Sequence, residues 1–259
     1  MKISVITPSF NQGAFLEDNI QSVLQQNYNN FEHIIIDGGS NDNTIEILKK
    51  YSHLKWISEK DEGQSDALNK GFKMATGDII CWLNADDMYL PGAFLHAVKE
   101  FQNDRQLDLI YGNYYEVDKN GKIIRHITPH SFDKKLCYLF CYIPSTTVFF
   151  RRQIIDEGIL IDKTFDISMD KEFFAHLAYL NKKIKYVDID VAYFRWHDSN
   201  KSLDTKQVKR IRMQEGKEIF YRYFKTNVKN KSDFLYKYYY YIFYMKRITK
   251  KLIERKYKK

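Results

Sequence analysis

The chain has 259 residues, 44% of them hydrophobic and 16% aromatic. This is ample for one large α/β domain, or one domain with an appendage, and excludes a disordered chain. The formal net charge is +8, but residues 230–259 carry ten Lys or Arg against two Asp or Glu, so the tail holds the whole excess and the body is neutral. That distribution argues against a surface built throughout for nucleic acid.

The three cysteines, Cys81, Cys137 and Cys141, have no CxxC spacing. Neither a disulfide framework nor a zinc site is expected. Cys137 and Cys141 read as one apolar face of a helix. The N-terminal stretch Met1 to Pro8 has no long apolar core or small-residue cleavage site, so no signal peptide is expected. No run of roughly 18 apolar residues occurs, so no spanning helix is expected. A cytoplasmic, reducing location fits.

In chain order, Lys2 to Thr7 reads as a buried strand, ended by Pro8-Ser9-Phe10-Asn11 because Pro blocks ladder pairing and Asn favours turns. Phe15, Ile20, Val23 and Leu24 recur at helical spacing between Ala14 and Gln26. His33 to Ile36 is a second strand, with Asp37-Gly38-Gly39-Ser40 directly behind it. A short helix follows around Ile45 and Leu48. Leu54 to Ser58 is a third strand. Glu59 to Gln64 is a loop, and Ser65 reads as the cap of a helix running to Ala75. Asp78 to Leu83 is a fourth strand, ending at Asn84-Ala85-Asp86-Asp87. This alternation predicts a mostly parallel sheet covered by helices on both faces. In such sheets ligands sit beyond the carboxyl ends of the strands. Four polar loops, Pro8–Asn11, Asp37–Ser40, Glu59–Gln64 and Asn84–Asp87, therefore converge on one rim.

After Asp87 the pattern is mixed. Pro91 to Phe101 reads as a helix and Leu107 to Tyr111 as a strand. Tyr114–Asp118 and Lys122–Ile127 flank Asn120-Gly121, a type I′ hairpin signal. Phe132–Phe140 reads as a helix, Thr146–Phe150 as a strand and 184–194 as another. The reading is a nucleotide-binding half, 1–112, an acceptor-binding half of the same domain, 113–202, and a helical basic-aromatic extension, 203–259. In the extension Phe234, Tyr238, Tyr241, Met245, Ile248 and Leu252 form an amphipathic stripe. It either packs on the domain or lies on an anionic membrane surface.

Adjacent carboxylates repel, so Asp86 and Asp87 at a strand end suit a divalent cation, or else cap the next helix. Hard oxygen ligands favour Mg²⁺ or Mn²⁺ arriving with a phosphorylated substrate. Asp37 with Gly38 behind it is either a tight turn or a carboxylate for a nucleotide base. No GxGxxG follows the first strand and no GxxxxGK[ST] occurs, which disfavours dinucleotide and P-loop sites. Asp170 opens a helix, either as a general base or as complement to the helix dipole, with Glu172 as the spare candidate. His197, in the polar loop after strand 184–194, is either structural or a ligand for metal or phosphate.

Taken together, Val5–Asn11, Asp37–Thr44, Asp61–Gly71, Gly77-Asp78, Leu83–Asp87, Met169-Asp170 and Arg195–His197 resemble, in order and spacing, a glycosyltransferase of family 2 with the GT-A fold. The resemblance covers about 1–200 and is of the bacterial surface-polysaccharide type. It implies an inverting, metal-dependent hexosyl transfer from a nucleotide-sugar to a hydroxyl of a glycan or lipid-linked acceptor. It implies that Pro8, Ser9, Asp37 and Gly38 hold the nucleoside, a uridine. Asp61, Gln64, Asp66 and Asn69 would line the donor pocket. Asn84 and Asp86 would contact the donor, Asp86, Asp87 and His197 would hold Mn²⁺ or Mg²⁺, and Asp170 would be the catalytic base. Two positions depart from the family pattern: Asn84 stands where an acid is common, and Met169 replaces the acid that often precedes the base. A peripheral site on the inner face of the plasma membrane, reached through 230–259, fits a lipid-linked acceptor. No nucleic-acid partner is expected. The rival readings are a non-catalytic nucleotide-sugar-binding scaffold and a sugar nucleotidyltransferase. The latter lacks its basic triphosphate loop, since Pro8–Gly13 holds no Lys or Arg. A tail-driven adaptor would leave the converging loops unexplained.

Overall fold

A computed structural model describes residues 1–225 and 231–257 of the chain. The parallel core forms from β1 (Ile3–Ser9), β2 (Phe31–Asp37), β3 (Lys55–Ser58) and β4 (Ile79–Trp82), in the order β3-β2-β1-β4. Helices α1 (Gly13–Leu24), α2 (Thr44–Lys49) and α3 (Gln64–Met74) are the crossovers. Every residue of β1 and β4 is buried, as expected for parallel strands covered on both faces. The sheet continues as β4-β8-β6-β9-β5 and totals nine strands. Its outer members are β5 (Met88–Tyr89), β6 (Leu109–Val117), β8 (Phe149–Arg151) and β9 (Ile184–Arg195), with β7 (Ile123–Ile127) paired to β6. Strand β8 runs antiparallel to both β4 and β6, and β9 runs parallel to β6. Strands β6 and β9 therefore point the same way as β1 to β4, and their carboxyl ends share the same rim.

Helix α3 lies close on β1. A Cβ on Gly71 would meet Ile6 Cγ2 at 2.3 Å, so glycine permits the approach. Helix α4 (Ala93–Asn103) covers the opposite face through Phe94, Ala97 and Phe101. Two four-residue helices, α5 (Lys134–Cys137) and α6 (Gln153–Asp156), precede α7 (Met169–Tyr179), whose Phe173 and Phe174 join Phe72 and Phe150 in the largest core cluster. Helices α8 (Lys206–Tyr223) and α9 (Asp233–Tyr257) close the described chain.

Several sequence expectations are corrected. Strand β1 runs through Pro8, which pairs with Ile36. The β4 side of β1 ends at Ile6–Trp82, so the missing N–H of Pro8 costs no ladder bond there. Ser65 does not cap α3: Gly63, at φ +102°, precedes that helix, and Ser65 Oγ lies 2.9 Å from Met169 Sδ. The strands expected at 107–111 and 114–118 are one strand, β6, which crosses the 112/113 boundary and binds both halves into one sheet. The hairpin turn is not type I′. Among its residues only Gly121 has positive φ, and Asp118 Oδ1 accepts from Asn120 N and Lys122 N, each at 2.9 Å. The helix expected at 132–140 is only α5, so Cys141 lies beyond it and is exposed while Cys137 is buried. Residues 145–147 form a 3₁₀ turn rather than strand.

The tail stripe faces outward. Phe234, Tyr241 and Leu252 are 79%, 67% and 62% exposed. The opposite face packs, with Tyr236, Tyr239 and Phe243 against Phe220 of α8 and Phe224 directly after it, at ring separations of 5.5–5.7 Å. Further along α9, the Glu254 carboxylate accepts from Ser131 N and Oγ at 3.1 and 2.6 Å. The periodicity fits the helix, but three- and four-residue spacing also fits the neighbouring face, and here the aromatic rings at the end of α8 select it.

Candidate active site

The rim holds a cavity of about 770 Å³. Pro8 and Ser9 reach it from the end of β1, Gly38 from the loop after β2, Asp61 from the loop leading to α3, Gln64 from the first position of α3, and Asn84 and Asp86 from the end of β4. Asp170, in the first turn of α7, lines the far side. The four expected loops do converge. Ser9 Oγ is buried with no hydrogen-bond partner among the described residues, a group left for a ligand to satisfy.

Five expected residues do not line the cavity: Asp37, Asp66, Asn69 and Asp87 stand behind its wall, and His197 stands behind Asp86. Asp37 is fully buried, and its carboxylate accepts from Ser40 N, Ser40 Oγ and Ser58 Oγ at 2.9, 2.5 and 2.6 Å. It shapes the loop that presents Gly38. Asp66 lies on the outer side of α3, ion-paired to Lys163 and Lys70 at 3.2 and 3.4 Å. The Asn69 amide binds both the N–H and the C=O of Ile161, at 2.9 and 2.8 Å, and so fixes the segment before α7. Asp87 is fully buried and accepts from Arg195 N, Thr146 Oγ1 and Asn84 Nδ2 at 3.0, 2.8 and 3.2 Å. Burial, with Asp86 beside it, pushes its pKa well up. Asp87 is a framework acid joining β4, β9 and the 145–147 turn, and it is not a cavity residue.

Asn84 has a physical reason. Its Oδ1 accepts from Trp82 Nε1 and Gln64 Nε2 at 2.8 and 2.9 Å, and its Nδ2 donates to Asp87. A carboxylate here would face Asp87 with no proton to donate. The neutral amide lets a buried acid stand next to the cavity.

Asp86 lines the cavity, and its Oδ2 lies 3.0 Å from His197 Nε2 and 3.2 Å from Asn200 Nδ2. The His197 ring packs on Phe15 at 4.4 Å, which fixes its plane. The described residues hold no group of three or more His, Cys, Asp or Glu spaced to bind a metal. Asp86 offers the cavity a carboxylate oxygen, and the His197 imidazole stands just behind it, with Nδ1 accepting from Ser199 N at 3.3 Å and Nε2 directed at Asp86. The Asp86 oxygen fits an ion of the Mg²⁺ or Mn²⁺ type, which takes one or two protein ligands and completes its shell with substrate phosphates and water.

Asp170 is held at both oxygens. Lys171 N donates to Oδ1 at 2.6 Å, and Cys141 Sγ donates to Oδ2 at 3.4 Å. Burial raises its pKa above the ordinary aspartate range. Glu172, the spare candidate, points away. It binds Tyr223 OH and Arg222 of α8 and does not reach the cavity. Sequence reasoning missed Lys60 and the Ser199–Ser202 segment. Both line the cavity, with Lys201 paired to Asp166 across it at 2.6 Å. The signal was the polar run after His197, but nothing in the run says that it folds back over the rim.

This is a GT-A architecture with its cavity at the carboxyl ends of the parallel strands. The sequence model of Glycosyl transferase family 2 matches residues 4–169. The chain belongs to that family. An uncharacterized glycosyltransferase of Nostoc sp. is 30% identical over 77% of this chain and 66% of its own length. Poly(ribitol-phosphate) β-N-acetylglucosaminyltransferase TarP of Staphylococcus aureus is 30% identical over 74% of this chain and 62% of its own. The chain spans only 19% of an uncharacterized glycosyltransferase of Rickettsia bellii. Among solved structures, S. aureus TarS 1–349 in complex with UDP-GlcNAc superimposes with a TM-score of 0.66 at 18% identity, covering 93% of this chain and 70% of that one. The mannosyltransferase PcManGT from Pyrobaculum calidifontis, with GDP-Man and Mn²⁺, gives 0.64 at 15%, covering 85% and 63%. At these identities the two structures speak for the fold alone.

Proposed function

We propose that this chain is an inverting glycosyltransferase that moves a sugar from a nucleotide-sugar, a UDP-sugar, to a hydroxyl of a glycan or lipid-linked acceptor. The observation that carries this reading is the placement of Asp170: a carboxylate with a raised pKa facing a rim cavity large enough for a nucleotide-sugar. WfgD of Escherichia coli, a UDP-Glc:α-D-GlcNAc-diphosphoundecaprenol glucosyltransferase 24% identical over 82% of this chain, supports a uridine donor, through the UDP-Glc in its name, and a lipid-linked acceptor.

In the proposed reaction the acceptor oxygen attacks the anomeric carbon. The bond from that carbon to the diphosphate oxygen breaks with inversion, and the hydroxyl proton passes to Asp170. Ser9 and Gly38 hold the nucleoside, and Gln64 and Asn84 bound the sugar side. Lys60 and Lys201 place positive charge along the diphosphate. Asp86, with His197 behind it, would hold a divalent cation. When bound, it supplies charge neutralisation on the leaving diphosphate. No helix among the described residues is long and apolar enough to cross a membrane. The exposed stripe of α9, with the exposed Lys237 beside it, is proposed to rest on an anionic membrane surface.

The test is a binding and turnover screen of UDP-, GDP- and dTDP-sugars with Mn²⁺, with Mg²⁺ and with chelator, on the parent protein and Asp86→Ala. Release of one nucleoside diphosphate that needs metal and falls at least about tenfold in Asp86→Ala is expected. Tight binding of a nucleotide without metal effect or turnover would move the reading to a scaffold.

A further inference from the structure

A second cleft of about 220 Å³ adjoins the donor cavity. The two share Ser145, Asp170 and Phe194, so the proposed base faces both spaces. The cleft is assembled from distant parts of the chain: Tyr114 of β6, Thr146 of the 3₁₀ turn, Trp196 after β9, and Arg247 and Lys251 of α9. Tyr114, Phe194 and Trp196 form an aromatic wall, with consecutive ring separations of 6.3 and 5.1 Å. Flat aromatic faces with polar edges suit the apolar side of a sugar ring.

The far end is cationic. The Arg247 guanidinium lies over Phe140 and Tyr142, at 5.3 and 5.9 Å from their ring centres. Its Nε is buried without a hydrogen-bond partner, and no carboxylate among the described residues pairs with it. Arg125, Arg152, Arg195 and Arg222 each hold a carboxylate. Glu116 also lines the cleft, but Arg125 takes both its oxygens at 2.5 and 2.8 Å. Burial lowers the pKa of Arg247, as expected of a cation lacking its anion. Lys251 lies one turn further along the same helix and reaches the same space.

We infer that this cleft is the acceptor subsite and that it selects a sugar carrying a phosphate or diphosphate, with the ring on the aromatic wall, the reacting hydroxyl toward Asp170 and the anion on Arg247. The inference rests on the transfer reaction proposed above. A planar guanidinium fork beside an ammonium matches a phosphate's several oxygens and double charge better than a single carboxylate. The bonds made and broken are those of the transfer itself, and the acceptor phosphate passes through unchanged.

The experiment uses the full chain, the UDP-sugar that the screen identifies, and matched acceptors. These are octyl glycosides of glucose, galactose and N-acetylglucosamine, the same sugars as octyl phosphodiesters and octyl diphosphates, and an octyl glucuronide. The phosphorylated acceptors should be used at least about tenfold better in kcat/KM, mainly through KM. Arg247→Gln should erase most of that preference, and Arg247→Lys should keep part of it. A diphosphate optimum indicates a lipid-diphosphate acceptor, and a phosphodiester optimum indicates a phosphodiester polymer. Equal use of the plain octyl glycoside, a preference for the glucuronide, or a preference that survives Arg247→Gln overturns the inference. If no acceptor gives product, saturation-transfer NMR with N-acetylglucosamine 1-phosphate and UDP decides. Contact in the parent that is lost in Arg247→Gln supports the subsite, and no contact, or equal contact in both, refutes it. Failure of the parent to bind any of the screened UDP-, GDP- or dTDP-sugars would instead refute the transfer reaction itself.

Discussion

The donor cavity and the neighbouring cleft are built in different ways. The donor cavity is made mostly of short loops at the ends of the parallel strands β1 to β4, which the sheet sets side by side, with Asp170 and the 199–202 segment added from later in the chain. The cleft takes side chains from β6, the 3₁₀ turn, the end of β9 and α9, more than 130 residues from first to last. Sheet topology delivers the strand-end loops of the first site. The second exists only because α9 folds back onto the body through Tyr239 and Phe243. Replacing a residue of the donor rim should therefore act on chemistry or on the local frame. Disturbing α9 should act on which acceptor is used and where.

The largest expected effect is at the residue both spaces share. Asp170→Asn should lower kcat about 10²–10⁴-fold, the value of a general base. The pH profile sharpens this. Burial raises the Asp170 pKa, so the active, ionised form is reached only above the usual aspartate value of 3.8. In the parent, kcat/KM should rise with pH along an acidic limb displaced above that value, and Asp170→Asn should lose the limb. A variant with an unchanged rate would break the assignment.

Asn84→Asp comes next and probes the frame. It removes the hydrogen bond to Asp87 and sets a second carboxylate against a buried one. Stability at neutral pH should fall by about 1–3 kcal/mol by chemical denaturation. The loss should shrink as the pH falls and one carboxyl takes up a proton. A loss that is equal at all pH values would indicate a packing cause.

The smallest effect on chemistry is expected on the outer face of α9. Phe234→Ser, Tyr241→Ser and Leu252→Ser combined should leave turnover on a soluble acceptor near parental. Flotation with anionic vesicles should fall at least about tenfold, since full burial of one such side chain is worth about 1.5–3 kcal/mol. Equal flotation would remove the membrane role. Surface substitutions suit this test better than deleting α9, which would expose Phe220 and Phe224.

The amino-acid sequence by itself determined the parallel core, the convergence of the four loops, and the placing of Ser9, Gly38, Asp61, Gln64 and Asp86 on one cavity, while Asp170 joined them only through the family resemblance. Strand alternation is local, and a strand end dictates where its loop must lie. Tertiary structure alone decided how adjacent acids divide the work. Asp86 faces the cavity while Asp87 is locked by Arg195, Thr146 and Asn84, and Asp37, Asp66 and Asn69 brace the walls rather than line them. It also decided that the legible stripe of α9 faces solvent and that Arg247 reaches the acceptor side. A sequence period specifies which residues share a face. Which face is buried depends on the partner surface, and here the rings of α8 are the better match.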